Sequence, residues 1–462
     1  MKTINSIAIK LICFVILLEA QSCDSFVEVD LPKSQLINET VFEDYATASA
    51  ALTDIYSNIR TKGILTGAST GISNTLGNYT DEIISVDKPT NPSLNFYNNA
   101  LLSSNSNVAL YWNASYNQIY AANSVIEGSE KSKNLSEEQK KQLQGEALFI
   151  RALLHFYLVN LFGDIPYVTQ TDFKQNSVVI RIPVAEIYQN IIHDLEKADP
   201  LLQVSYIGSE RVRPNKLTVK ALLARVYLHN KSYTEAANMA SAVINEEDLY
   251  KLEPDITKVF LLASKETIWQ LQSGNAGSNT LEASFFTFTA GPPPLVSLNN
   301  NLVNSFSAGD LRRVNWIKTI SNKTSVWYHA YKYKENNATA TSKEYSIIFR
   351  LAEQYLIRAE ARAQQGELIG AKEDLLKIRS RAGLGSTVAL SREEILAAIL
   401  TERRWELFTE RGHRFFDLKR NGQLDLSLTG LKPGWNSTDN LFPIPQSELS
   451  TNPNLRPQNP GY

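Results

Sequence analysis

Apolar residues recur at spacings of three and four along much of the chain, the pattern of helices that bury one face. In the segment 44–59, for example, Tyr45, Leu52, Ile55 and Ile59 fall on one side of a helix. Similar patterns predict helices at 44–59, 112–126, 144–161, 216–230, 233–244, 347–365, 368–381 and 392–410. Strand-like alternation is confined to short runs, so we predict a mostly α fold.

Two pairs of these helices resemble tetratricopeptide repeats. Small and aromatic residues stand at the positions where antiparallel helices of such a repeat cross closely. In the first pair these residues are Leu223, Ala224, Tyr227, Tyr233 and Ala236, and in the second Ala359, Gly366, Ala371 and Leu375. The pairs are far apart in the sequence, so a simple solenoid is not predicted.

Two stretches interrupt the helical pattern. Residues 74–107 are rich in Asn, Ser, Thr and Pro, and residues 274–341 combine prolines with Trp316, Trp327, Tyr328 and short alternating runs. We predict that these insertions build an irregular, loop-rich lobe with a few short strands on a helical scaffold. One domain over 41–462 is favoured, because helical repeats return after Tyr345; a division near Asn245 is the alternative.

The C-terminal segment 441–462 contains five prolines, which argue against a helix or a central strand there. It also carries apolar residues that can anchor it, including Phe442, Ile444 and Tyr462. We therefore predict an extended arm that lies over the helical body.

The N-terminus has the features of a bacterial lipoprotein signal. Lys2 precedes the apolar run 11–18, which is too short to span a bilayer, and Cys23 follows small residues. We predict a signal peptide over 1–22, lipidation of Cys23 and a linker over 23–40; an ordinary secretory signal with an incidental Cys is the alternative. Cys13 would leave with the signal, so no disulfide is expected.

Composition and motif spacing disfavour several classes of function. The net charge is −2 without a basic block, so no nucleic-acid partner is expected. No run after Leu18 has the length of a membrane span, so the lipid is the only membrane attachment predicted. Glu402, Glu406 and Glu410 share a helix face beside arginines, which favours a salt-bridge network over an acid–base pair. Metal-ligand, phosphate-loop and nucleophile motifs are not found, and no catalytic residue, metal or cofactor is predicted.

Four segments resemble the SusD/RagB family, the nutrient-binding outer-membrane lipoproteins of Bacteroidota. They are the helix and Phe-Gly-Asp-Ile-Pro turn at 146–166, the helix at 350–361, the charged motif at 402–420 and the proline-rich C-terminus. The residues of these segments indicate structural roles rather than a binding site. Gly163, Asp164 and Pro166, for example, suit the end of a helix. The charged side chains of the third motif, expected to form Arg–carboxylate pairs, are Glu402, Arg403, Glu406, Arg414 and Asp417.

The resemblance implies a surface lipoprotein that captures an oligosaccharide and passes it to a SusC-like TonB-dependent transporter. A peptide-binding, RagB-like lid and a helical-repeat scaffold without a small ligand stay open as alternatives. Aromatic faces and planar polar groups suit sugars. The candidate ligand-binding residues in the loops are Tyr79, Asp81, Glu82, Tyr97, Asn98, Trp316 and Tyr328; a packing or turn-capping role is the competing interpretation for each.

Overall fold

The computed structural model describes residues 41–88, 90, 91, 93–432 and 434–462. The predicted signal peptide, linker and lipidation site at Cys23 lie outside the described residues. Helices dominate, and three two-stranded antiparallel sheets accompany them. The strands are β1 Ile83–Ser85, β2 Thr267–Leu271, β3 Val296–Leu298, β4 Ile317–Ser321, β5 Val326–Ala330 and β6 Ser346–Arg350.

The helices fall into a scaffold of long members and a set of short ones in the connecting segments. They are α1 Tyr45–Thr61, α2 Ile72–Tyr79, α3 Leu94–Tyr97, α4 Ser106–Lys131, α5 Glu137–Phe162, α6 Phe173–Asn176, α7 Val184–Ala198, α8 Lys216–His229, α9 Tyr233–Ile244, α10 Leu281–Phe286, α11 Asn300–Ser305, α12 Leu311–Asn315, α13 Leu351–Gln364, α14 Leu368–Arg381, α15 Arg392–Leu407, α16 His413–Arg420, α17 Leu424–Leu428 and α18 Gln446–Thr451. The predicted mostly α fold is confirmed.

The scaffold is a chain of neighbouring antiparallel pairs. Helix α4 packs on α5, α5 on α7, α8 on α9 and α13 on α14. Helix α9 also packs on α13, so the two repeat-like pairs, which are distant in the sequence, are neighbours in space. Fully buried alanines, among them Ala236, Ala240, Ala359 and Ala371, line these contacts and let the helix axes approach closely.

Helix α5 forms the centre of the largest apolar core. Almost every residue from Leu143 to Phe162 is buried. Within the described part of the chain, it is the one helix long and apolar enough to cross a membrane, and its burial identifies it as a core helix. A capping box between Ser136 and Gln139 begins it, and Gly163, with φ of 74°, ends it.

The C-terminal segment closes the open end of α5. The last carbonyls of that helix accept hydrogen bonds from Lys419 Nζ to Asn160 (2.6 Å), from Phe442 N to Leu161 (2.7 Å) and from Asn459 Nδ2 to Phe162 (2.8 Å). These donors satisfy backbone groups that every helix end leaves free. The segment therefore lies over the helical body.

The expectation that this segment excludes helix is wrong. Helix α18 and a 3₁₀ turn at Pro453–Leu455 occupy its middle. Pro445 stands at the position before the helix and Pro453 after it, and neither place requires a backbone N–H donor. The prolines thus limit the helix to six residues.

Two further predictions about regular structure need correction. The predicted helix at 347–365 begins only at Leu351, because Ser346–Arg350 is a strand paired with β2. The predicted insertion 74–107 begins inside α2, whose residues are all buried. Its asparagines tolerate burial because their amides pair: Asn78 Nδ2 donates to Asn74 Oδ1 (2.7 Å), and Asn74 Nδ2 donates to Ser93 Oγ (2.8 Å).

Candidate functional site

Four of the seven candidate ligand-binding residues lie inside the protein, which corrects their assignment to exposed loops. Tyr79 is 0% exposed, and its ring packs edge-on against Phe442 at 5.2 Å. Trp316 is 1% exposed, and its Nε1 donates to the Ile256 carbonyl (3.0 Å). Asp81 and Glu82 are also buried. Side chains covered in this way present no face to a ligand from solution.

Asp81 and Glu82 belong to the packing of α15 and α16 against the turn after α2. Asp81 accepts hydrogen bonds from Arg404 (2.7 Å) and from Arg414 (2.8 and 2.9 Å). Burial opposes ionisation of Asp81, but the hydrogen bond and charge of Arg414 and the charge of Arg404 outweigh it and lower its pKa. For Glu82, burial and the nearby Asp81 charge raise the pKa to about 7.

The motif at 402–420 forms a buried set of ion pairs. Arg403 Nε lies 2.7 Å from Asp417, and Arg414 reaches back to Asp81. Glu402 and Glu406 face arginines from other segments of the chain rather than from their own helix. We call the group that surrounds them the charge cluster; its members are Glu266, Arg312, Arg350, Arg381, Glu402 and Glu406.

The turn at 163–166 holds two elements together. Asp164 Oδ1 accepts a hydrogen bond from Val184 N at the start of α7 (3.0 Å). The Pro166 carbonyl accepts one from the hydroxyl of Tyr116 on α4 (2.8 Å). Gly163 has the positive φ that its position after α5 requires.

Tyr97 and Asn98 reach the surface at the end of α3. Asn98 is exposed, whereas Tyr97 is partly buried. Lys432 Nζ lies 3.9 Å from the centre of the Tyr97 ring and donates to the Asn78 carbonyl (2.6 Å). Burial lowers the pKa of Lys432 to about 7. Their role in ligand binding stays a prediction.

Tyr328 lies on β5, where successive side chains point to opposite sides of the strand, so its ring and those of its neighbours lie on different sides. It points to the side where the Arg313 guanidinium lies 5.1 Å from its ring centre. Trp327 and His329 point to the other side, because successive strand residues face opposite ways. The antiparallel register pairs them with Ile320 and Lys318 of β4.

The second side of this hairpin carries a run of aromatic rings. The His329 ring lies 4.9 Å from Phe288 and 5.6 Å from Tyr331. Trp327 and Tyr331 are partly buried, so parts of their rings stay accessible. Together we call these the hairpin face; its members are Phe288, Trp327, His329 and Tyr331. In the sequence, the aromatic residues at every second position of 327–331 are the signal that could have indicated this face.

The loop that contains Gly291 and the prolines after it, together with two lysines, borders the hairpin face. Gly291 lies so close to Trp327 that a Cβ added to it would stand 2.1 Å from the indole. A larger residue there would therefore displace the ring. The Lys318 and Lys334 ammonium groups lie 5.7 and 5.3 Å from the Tyr331 ring centre. The face combines fixed aromatic surface with flexible donors, a combination suited to polar ligands that have apolar faces.

The histidines and carboxylates of the described residues form no group of three or more arranged to hold a metal ion. The carboxylates at 402, 406 and 410 each contact Arg or Lys side chains, as the predicted salt-bridge network requires.

Comparisons with known proteins place the chain in a family. A family model described as "Starch-binding associating with outer membrane" matches residues 26–228, and one described as "SusD family" matches residues 299–462. The SusD-like protein P2 of Formosa agariphila is 30% identical over 418 residues, which cover 78% of this chain and 81% of the relative. The chain belongs to the SusD family.

Solved structures agree on the fold. A SusD superfamily protein from Bacteroides vulgatus is 22% identical with a TM-score of 0.80, covering 92% of this chain and all of that one. A laminarin-binding SusD-like protein is 23% identical with a TM-score of 0.77 over 90% of this chain and 99% of that one. Surface glycan-binding protein A from Bacteroides fluxus is 22% identical, with a TM-score of 0.74 and the same coverages.

Proposed function

We propose that the protein is a saccharide-binding lipoprotein of the outer-membrane surface. In this proposal it holds an oligosaccharide on the hairpin face and passes it to a SusC-like TonB-dependent transporter. The observation that carries the binding step is the pair of partly exposed rings at Trp327 and Tyr331, with the buried His329 between them in the strand order. Ring faces stack on the C–H surfaces of a pyranose, while lysine ammonium groups donate hydrogen bonds to its hydroxyls.

Family relatives support the ligand class. One matching family model is described as starch-binding and outer-membrane-associated, and two similar structures are named for laminarin binding and for surface glycan binding. The contact with Gly291 also supports the proposal, because it holds the Trp327 ring in place before a ligand binds. A platform that is ordered in advance loses less conformational entropy on binding.

Calorimetry of the lipid-free protein, starting at Asp24, against a panel of neutral oligosaccharides tests the binding step. Trp327→Ala is expected to weaken binding by about tenfold or more, since an aromatic contact of this kind contributes about 1–2 kcal/mol. Val326→Ala is the matched control: Val326 is the preceding residue, is 50% exposed and points to the other side. Equal affinity in both variants would remove the hairpin face as the site.

Delivery to a transporter is tested in membranes of the native host. We expect the full chain to co-purify with a large TonB-dependent outer-membrane protein, and expect Cys23→Ser to abolish incorporation of labelled palmitate and release the protein from the membrane. Palmitate labelling that persists in Cys23→Ser would contradict lipidation at this residue.

Two alternatives predict different outcomes of these experiments. Binding of oligopeptides but of no saccharide would favour a peptide-binding, RagB-like lid. Co-purification with partner proteins but binding of neither ligand class would favour a helical-repeat scaffold.

A further inference from the structure

A second surface has the chemistry of a saccharide site and lies away from the hairpin, on the helical scaffold. It is a groove of about 630 Å³ between α4, the segment 173–179 and the C-terminal arm. We call it the α4 groove; the residues that line it include Tyr116, Asn117, Tyr120, Phe173, Asn176 and Glu448.

One wall of the groove is an ordered aromatic stripe. Trp112, Tyr116 and Tyr120 are spaced four residues apart on α4, so they stand one above the other on one side of the helix. The Trp112 and Tyr116 rings lie 4.9 Å apart, and the Tyr116 hydroxyl is tied to the Pro166 carbonyl. Packing therefore holds the Trp112 and Tyr116 rings in place, whereas Tyr120 is 47% exposed.

Polar side chains next to the stripe have few or no hydrogen-bond partners in the described part of the chain. Asn113 and Asn117, one residue along from the aromatic positions, are exposed, and their amides make no hydrogen bond to any described residue. Glu448 on the arm lines the groove without a salt bridge to a described residue, and the only hydrogen bond of its carboxylate is a long one from Ser447 Oγ (3.4 Å). These amides and this carboxylate are free to pair with ligand hydroxyls.

The opposite wall adds an uncovered ring. Phe173 is 81% exposed, although a phenylalanine gains free energy by leaving water. Among the described lining residues none is Lys or Arg, and Glu448 is the one carboxylate, so an anionic ligand is disfavoured.

We propose that the α4 groove is a second binding site for a neutral oligosaccharide, with Tyr120 and Phe173 as ring platforms and Asn113, Asn117 and Glu448 as hydroxyl partners. The ligand class is that of the proposed function, on which this inference rests. The groove volume accommodates a few sugar units, as small-ligand sites of several hundred Å³ do. Two sites on one chain would let a polymer be held at separate points, which raises its overall affinity.

The test is calorimetry of the lipid-free protein with a panel of neutral oligosaccharides that includes maltoheptaose and laminarihexaose. We expect wild type to bind two molecules of at least one of them. The double variant Asn117→Ala/Tyr120→Ala is expected to lose one of the two sites or weaken it by at least about tenfold. Trp327→Ala is expected to retain the groove site. Ile369→Ala, which removes a 79% exposed apolar side chain on α14, is the surface control.

The outcomes separate this inference from the proposed function. If the groove variant binds every saccharide as wild type does while Trp327→Ala loses binding, the second site is wrong and the hairpin site stands. If wild type binds no saccharide in the panel, both are overturned. Unchanged melting temperatures of the groove variants would show that a lost site reflects contact and not unfolding. Calorimetric binding of an oligopeptide that the Asn117→Ala/Tyr120→Ala variant loses, with no saccharide bound at the groove, would also overturn the saccharide assignment.

Discussion

Cations lie beside aromatic rings both at the charge cluster and at the hairpin face, but in different surroundings. The cluster's Arg381 and Arg350 lie 5.7 and 5.9 Å from the ring centre of the neighbouring Trp316, and Lys332 lies 5.0 Å from the same ring. On the hairpin face, Lys318 and Lys334 lie at similar distances from Tyr331. The cluster is buried and the face is partly open, so burial and not residue type separates structural contacts from available ones.

The largest expected effect comes from breaking the charge cluster. Glu406 contacts Arg350 (2.5 Å), Arg312 (3.0 Å) and Arg381, all buried. Burial opposes its ionisation, but these guanidinium charges hold its pKa well below the usual range. Glu406→Ala would leave three buried cations without that partner, and we expect a loss of about 3–5 kcal/mol in the free energy of unfolding. Urea denaturation measures it.

Glu393→Ala is the control for that prediction, because Glu393 is exposed on the same helix, α15. We expect it to change stability by no more than about 0.5 kcal/mol. A Glu406→Ala variant as stable as this control would mean that the cluster contributes nothing to folding.

A smaller, pH-dependent effect is expected at Glu82. Its pKa is raised from 4.5 to about 7 in the folded protein, so the folded state holds a proton that the unfolded state releases as the pH rises between these values. The stability from this group is thus present below the unfolded pKa and lost as the pH rises through the folded one. Glu82→Gln, which stays neutral, should exceed wild type by up to about 3 kcal/mol near pH 8.

Denaturation curves at several pH values test this prediction. The difference between Glu82→Gln and wild type should shrink to near zero at about pH 4, where both side chains are neutral. Asp87→Asn, at a nearby exposed carboxyl, is the control and should show no such trend. A constant difference at all pH values would indicate a packing effect instead.

The smallest expected change in stability is at the hairpin face itself. Tyr331 is partly exposed, and its ring contacts His329 and two lysines. We expect Tyr331→Ala to change the free energy of unfolding by less than about 1 kcal/mol and yet to weaken saccharide binding severalfold. Thermal melting and calorimetry on the same sample measure the two effects. A large loss of stability without loss of binding would make Tyr331 a structural residue.

The comparison also explains why Trp316 is not available to a ligand. Trp316 and Tyr328 both lie in the irregular insertion, where aromatic residues are expected at the surface, and Tyr328 stays a candidate because it is partly exposed. Trp316 is covered because Phe260 packs on its ring at 5.3 Å and its indole bonds to Ile256, a partner 60 residues earlier. Trp327, one residue before the chosen Tyr328, lies on the hairpin face because strand residues alternate sides.

The sequence by itself determined the helical scaffold, most helix positions and the family. Helical periodicity, end signals such as Gly163 and Ser136, and the motif at 402–420 are local, and local propensity acts between residues a few positions apart. Only the tertiary structure decided that α9 and α13 are neighbours, that Glu406 gathers arginines from three distant segments, and that Tyr79 and Trp316 are covered while Trp327 is accessible. Those outcomes depend on contacts between residues tens to hundreds of positions apart, and no local pattern encodes which residues will meet.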